Sequence, residues 1–123
     1  MNYRFTKRTG GASLGAFASL NLGSHVGDDL EFVMKNRAIL RSEVGPVQFM
    51  NQVHGDRIAL IEEVTDEIPT ADALVTGIPG ISLAVMVADC IPLLLSSPES
   101  VAAVHVGRKG LINEITRKTI SLM

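Results

Sequence analysis

Ile81-Ser82-Leu83-Ala84-Val85-Met86-Val87-Ala88-Asp89-Cys90-Ile91-Pro92 sets the interpretation of the whole chain. An apolar run ends in a carboxylate, the one cysteine of the chain and, two residues later, a proline. A run like Ile81 to Ala88 reads as a buried central strand. Asp89 and Cys90 then sit where that strand leaves its sheet. A polar, reactive pair there is expensive to bury without partners. The residues that could meet Cys90 are two histidines in similar settings. His54 lies in Asn51-Gln52-Val53-His54-Gly55, and His105 in Ala103-Val104-His105-Val106-Gly107.

Outward from this stretch the chain reads as strands with two helices. Residues 3–6 form a short candidate strand, followed by a glycine turn, Arg8-Thr9-Gly10-Gly11-Ala12-Ser13. Asp28 or Asp29 can cap a helix whose apolar stripe is Phe32, Val33, Ile39, Leu40 and Val44. Gly45 and Pro46 stop it. Strands are expected over 47–51, 57–61, 71–77, 81–88, 92–95 and 101–106. A terminal helix begins near Ile112, with Leu111, Ile115, Thr119 and Leu122 facing inward. Strands grouped in this way, rather than alternating with helices, predict an α+β fold with a mixed sheet. The final amphipathic segment, Leu111 to Met123, has no stop signal. That points to a larger architecture, or to one completed by a partner chain.

The 123 residues suit one domain, 1–123, and a hydrophobic fraction of 46% supplies its core. A net charge of -2, with scattered Lys and Arg, gives no nucleic-acid footprint. No apolar run approaches the roughly 20 residues that span a bilayer. Met1 to Arg8 has no apolar segment behind its charges, so it is not read as a signal peptide. One cysteine rules out an internal disulfide and suits a reducing compartment. The expectation is a cytoplasmic protein.

His54, Cys90 and His105 are ligand types that zinc prefers. Three protein ligands leave a fourth tetrahedral position open, as in catalytic zinc sites. The alternative is a buried structural cysteine with two ordinary histidines. A third reading makes Cys90 the nucleophile of a cysteine hydrolase with His54 or His105 as its base, although Asp89 beside it disfavours the thiolate. Among the flanking residues, Gln52 shares a strand face with His54 and is the likelier pocket residue. Asp89 is a candidate substrate-polarising group. Arg8, with the Gly10-Gly11 turn, could hold an anion.

Five motifs in order carry a resemblance. They are Thr6-Lys7-Arg8-Thr9-Gly10-Gly11-Ala12-Ser13, Ser19-Leu20-Asn21-Leu22-Gly23-Ser24-His25-Val26-Gly27-Asp28, Asn51-Gln52-Val53-His54-Gly55, Ala71-Asp72-Ala73-Leu74-Val75-Thr76 and Ala88-Asp89-Cys90-Ile91-Pro92. The chain resembles the N-terminal half of the YfiH-type laccase-domain family, also labelled polyphenol oxidase and purine nucleoside phosphorylase. The resemblance implies a layered α/β/β/α arrangement with mixed sheets, here incomplete. It implies zinc ligands at His54, Cys90 and His105, with copper the lesser choice. It implies phosphorolysis of adenosine, inosine, guanosine and methylthioadenosine, and adenosine deamination beside it. The implied partners are a purine nucleoside, phosphate, and either a second copy of the chain or a C-terminal half. The chain's three histidines fall short of a blue-copper site plus a trinuclear cluster. Where the family motif reads His-Ala-Gly-Trp-Arg-Gly, this chain has His105-Val106-Gly107-Arg108-Lys109-Gly110. The ligand histidine and both glycines are kept, while the tryptophan is absent. Substrate fit is therefore more affected than metal binding, and the alternative reading is a truncated, non-catalytic zinc-binding or interaction remnant.

Overall fold

In the computed structural model, which describes residues 2–123, the strands are β1 (Val47–Gln48), β2 (Ile58–Leu60), β3 (Ala73–Thr76), β4 (Ser82–Leu83), β5 (Ile91–Ser96) and β6 (Val101–Val106). The helices are α1 (Leu30–Val44), α2 (Arg108–Ile112) and α3 (Ile115–Leu122), with a short 3-10 turn over Gly15–Phe17. The chain divides into two compact units, Asn2–Gly45 and Pro46–Met123.

In the first unit α1 starts and stops as its sequence dictates. The Asp29 side chain accepts the Glu31 N–H at 2.9 Å, and Gly45 takes the left-handed φ of 78° that ends the helix. Residues 3–6, expected as a strand, have no regular structure. The long connection before α1 is organised by a buried asparagine instead. Asn36 accepts the Ala12 N–H at 2.7 Å and donates to Ser13 Oγ and to the Asn21 carbonyl at 2.9 and 2.8 Å. Gly11 is required there: a Cβ would collide with the Ser19 carbonyl oxygen.

The second unit is a mixed four-stranded sheet in the order β2-β3-β6-β5, with a two-stranded parallel pair, β1-β4, beside it. β2 and β3 are parallel, while β3-β6 and β6-β5 are antiparallel. The period of two sorts the side chains onto two faces. Ala73, Val75, Ala102, Val104 and Val106 pack with Ile115 of α3. Leu74 faces the other way and packs with Met50 and Ile61, and with Leu83 and Val85. Within this unit α3, the four-stranded sheet and the small sheet form three layers around two apolar clusters, in keeping with the expected α+β fold with a mixed sheet.

Two expectations need correction. The run from Ile81 to Ala88 is not a central strand. Only Ser82–Leu83 pairs, and it pairs with β1. Beyond the Ala84 N–H bond to the Gln48 carbonyl at 2.9 Å, the partner is a side chain. The Gln52 carboxamide donates to the Met86 carbonyl at 2.6 Å and accepts the Met86 N–H at 2.8 Å. The Met86 backbone is satisfied without a ladder, so apolar content alone did not make a strand. Secondly, the terminal helix is two helices. Glu114, at a left-handed φ of 59°, breaks it; of the expected inward residues Ile115 and Thr119 are buried, joined by Gly110 of α2 and by Met123, which packs on the core. Leu111 and Leu122 are exposed. The break rotates α3 relative to α2, so one helical stripe cannot run through both.

Candidate metal centre

The register of β6 places His105. Ala73 pairs with Val104, so the neighbouring pair sets Asp72 directly across from His105, and the His105 N–H bonds the Asp72 carbonyl at 2.7 Å. On the other side His105 pairs with Pro92 of β5. His105 therefore points to the face opposite the helices, flanked by Asp72 and by the strand that Cys90 leads into. Pro92 fits because β5 is an edge strand.

Asp72 is the residue that the sequence reading passed over. It is fully buried. Its Oδ2 lies 2.7 Å from His105 Nδ1 and accepts the His54 N–H at 2.9 Å, while Oδ1 accepts the N–H groups of Val53 and Gly55 at 3.2 and 2.8 Å. Burial works against the charged carboxylate. The bonds from His105 and from the Gly55 and Val53 N–H groups outweigh it, with attraction to His105 added, and the Asp72 pKa is lowered. The available signal was a carboxylate opening an apolar strand, Ala71-Asp72-Ala73-Leu74-Val75. Such a group is almost never fully buried unpaired.

The turn wrapped around Asp72 carries His54 at a φ of 60°, uncommon for a residue with a Cβ. The Lys118 ammonium of α3 pairs with Asp56 just beyond it. Gly107 and Gly110 complete the surroundings. A Cβ on Gly107 would sit 3.3 Å from His54 Cδ2, 3.6 Å from Cys90 Sγ and 3.8 Å from His105 Cε1. A Cβ on Gly110 would lie 3.2 Å from the Ile115 side chain and 3.3 Å from the Gly55 carbonyl oxygen.

His54, Cys90 and His105 converge: one ligand atom from each lies within 4.8 Å of the others. The imidazole rings meet edge-on with centroids 4.8 Å apart. His105 is buried, Cys90 half-buried and His54 exposed, so the group opens toward solvent on the His54 side. Around a tetrahedral zinc, N and S ligands lie roughly 3.3–3.6 Å apart, given bonds of about 2.0–2.3 Å. The donor atoms of this group lie within about 1.5 Å of that spacing. The residues present fit a zinc-type ion.

Without a metal, burial pushes the Cys90 thiol up, and the nearby carboxylates of Asp89 and Asp72 push it further. A resting thiol of that kind is a poor nucleophile and a good ligand once a cation displaces its proton. The other residues singled out by sequence sit differently. Asp89 is exposed, with Oδ1 3.8 Å from Cys90 Sγ. Gln52 is engaged through both carboxamide atoms by Met86. Arg8, in the first unit, donates from Nε to the Ala18 carbonyl at 2.8 Å. The Gly11, Ala12 and Ser13 N–H groups of its glycine turn are all bonded within that unit.

A family model described as multi-copper polyphenol oxidoreductase laccase matches residues 2–123. The chain belongs to this laccase-like family. Among its relatives, a purine nucleoside phosphorylase of Corynebacterium glutamicum is 44% identical over 128 residues, covering 97% of this chain and 52% of that protein. A purine nucleoside phosphorylase of Mycobacterium tuberculosis is 41% identical, covering 96% and 50%. The fold matches a crystal structure of a Neisseria meningitidis protein at a TM-score of 0.90 and 43% identity, covering 94% of this chain and 49% of that one. It matches YlmD from Geobacillus stearothermophilus at 0.84 and 32%, covering 94% and 48%. The chain spans about half the length of the laccase-family relatives that it matches. Among the described residues, no helix is long and apolar enough to cross a membrane.

Proposed function

We propose that this chain supplies the zinc centre of a purine nucleoside phosphorylase of the laccase-like family. His54, Cys90 and His105 are its ligands, and a single ion occupies the site. The observation that carries this reading is the convergence of two imidazoles and one thiol within 4.8 Å, open on one side. The relatives named as purine nucleoside phosphorylases support the choice of substrates, a purine nucleoside and phosphate.

A zinc ion bound there supplies Lewis-acid chemistry at an open coordination position. The chain's own residues do the rest of the work assigned here. His105 and Cys90 fix the inner side of the site from β6 and from the approach to β5. His54 closes it from a turn at the surface. Gly107 keeps the space between the ligands free of side chain. Gln52 straps the segment that leads to Cys90 by bonding both backbone groups of Met86. Asp89, exposed beside Cys90, is the group we place nearest an incoming nucleoside. Adenosine deamination is a second activity of the same open position. A cysteine hydrolase is disfavoured by the raised Cys90 thiol.

The test is metal analysis of protein purified without added metal, with inosine cleavage followed in phosphate. One zinc per chain, lost in His54→Ala and Cys90→Ala, is expected. Absence of bound metal after exposure to micromolar zinc would overturn the proposal. Rapid alkylation of Cys90 at neutral pH with zinc present would favour the hydrolase instead.

A further inference from the structure

We infer that Asp72 is a positioning residue that governs two of the three ligands through one oxygen, an inference that rests on the metal reading of the site. Oδ2 is the shared atom. It receives the His54 N–H at 2.9 Å and meets His105 Nδ1 at 2.7 Å. Oδ1 is occupied by two further N–H donors, from Val53 and Gly55. Backbone N–H groups can only donate, and three of them converge on the two oxygens, an arrangement that favours the ionised, acceptor-only form of the carboxylate. The proton between Asp72 and His105 therefore belongs to Nδ1. That fixes the His105 tautomer and leaves the Nε2 lone pair for a metal ion.

The second ligand is governed through the backbone. His54 adopts a left-handed φ of 60°, a conformation that is costly for a residue with a Cβ. Three successive N–H groups, from Val53, His54 and Gly55, close around the buried carboxylate and hold the turn in that shape. The turn and the tautomer share an anchor, so disturbing the anchor disturbs both ligands together. An asparagine cannot replace it. A carboxamide has one acceptor atom, so at least one of the four donors loses its partner. If its NH2 group faces His105, it donates to Nδ1 and moves the imidazole proton onto Nε2, the atom a metal needs.

The experiment has two arms on the full chain. In the first, nitrogen-15 NMR of the metal-free wild-type protein reads the His105 tautomer. A single Nδ1-protonated form is expected; a dominant Nε2-protonated form, or a mixture, overturns the inference. This arm needs no variant and stands if Asp72→Asn fails to fold. In the second, chelator competition compares zinc affinity of wild type and Asp72→Asn. A loss of about 10–100-fold is expected, the usual effect of removing an outer partner of a ligating histidine, together with loss of the single His105 tautomer. A folded Asp72→Asn protein that keeps both wild-type zinc affinity and the Nδ1 tautomer overturns the inference. A wild-type chain that binds no zinc at all sinks the metal reading instead, and the tautomer arm still reports on Asp72.

Discussion

Replacing Gly107 with alanine tests whether the space between the ligands is kept empty for them. Gly107 has φ -86° and ψ -179°, a backbone that any residue adopts. The glycine is thus not needed for its conformation. It is needed for room: an added Cβ lies 3.3 Å from His54 Cδ2 and 3.6 Å from Cys90 Sγ. Carbon pairs rest at about 3.5–4.0 Å. The imidazole must therefore give way by a few tenths of an ångström, against a tolerance of about 0.2 Å for a metal site. The expected result is at least a tenfold loss of zinc affinity, about 1.4 kcal/mol. Folding stability of the metal-free protein should stay within about 1 kcal/mol of wild type, since alanine at a compatible backbone limits the unfolded chain. Zinc affinity comes from chelator competition and stability from urea unfolding. Gly107→Val, with two more carbons in the same space, should abolish binding. An alanine variant with wild-type zinc affinity would refute the argument.

Two further expectations concern the first unit. Asn36→Ala strips partners from the Ala12 N–H, the Ser13 hydroxyl and the Asn21 carbonyl, and should destabilise the protein by about 1–3 kcal/mol in urea unfolding. Asp28 has a lowered pKa because Ser13 Oγ donates to it at 2.5 Å. Its unfolded carboxylate titrates near 3.8, so its contribution is fully present above that pH and is lost as pH falls through the lower folded value. Acid unfolding of Asp28→Asn should show a weaker dependence on pH over that window than wild type; an identical dependence would remove Asp28 from the account.

Much of this molecule was legible in residue order because local signals and tertiary structure agree. The Asp29 cap, the Gly45-Pro46 stop and the strand Val101–Val106 were readable for that reason. The grouping of His54, Cys90 and His105 was readable because each has metal-binding chemistry and a small neighbour. The Ile81–Ala88 run misled because composition says how much a segment wants burial, not what its backbone bonds to. The Gln52 carboxamide took the ladder's place at Met86, and nothing in the spacing of residues 52 and 86 signals that. Asp72 was hidden for a related reason. Its importance comes from a cross-strand position opposite His105 and from a turn 17–19 residues earlier in the chain. Only the fold brings those together. The terminal helix was drawn as one stripe because Glu114 carries no breaker signature; its left-handed backbone is visible only in space.

His105 belongs to a strand, and that ties coordination to pairing. Side chains in a strand alternate between faces, so shifting β6 by one residue against β3 would turn His105 toward the helices and put Val104 or Val106 in its place. Asp72 would then face an aliphatic side chain, and Cys90 and His54 would lose their third companion. On the proposed metal reading, occupancy of the site is a proofreader of sheet assembly: an ion would be captured only by chains whose middle strands have zipped in the correct register. Metal added during refolding should accordingly enrich the correctly paired population as well as stabilise it.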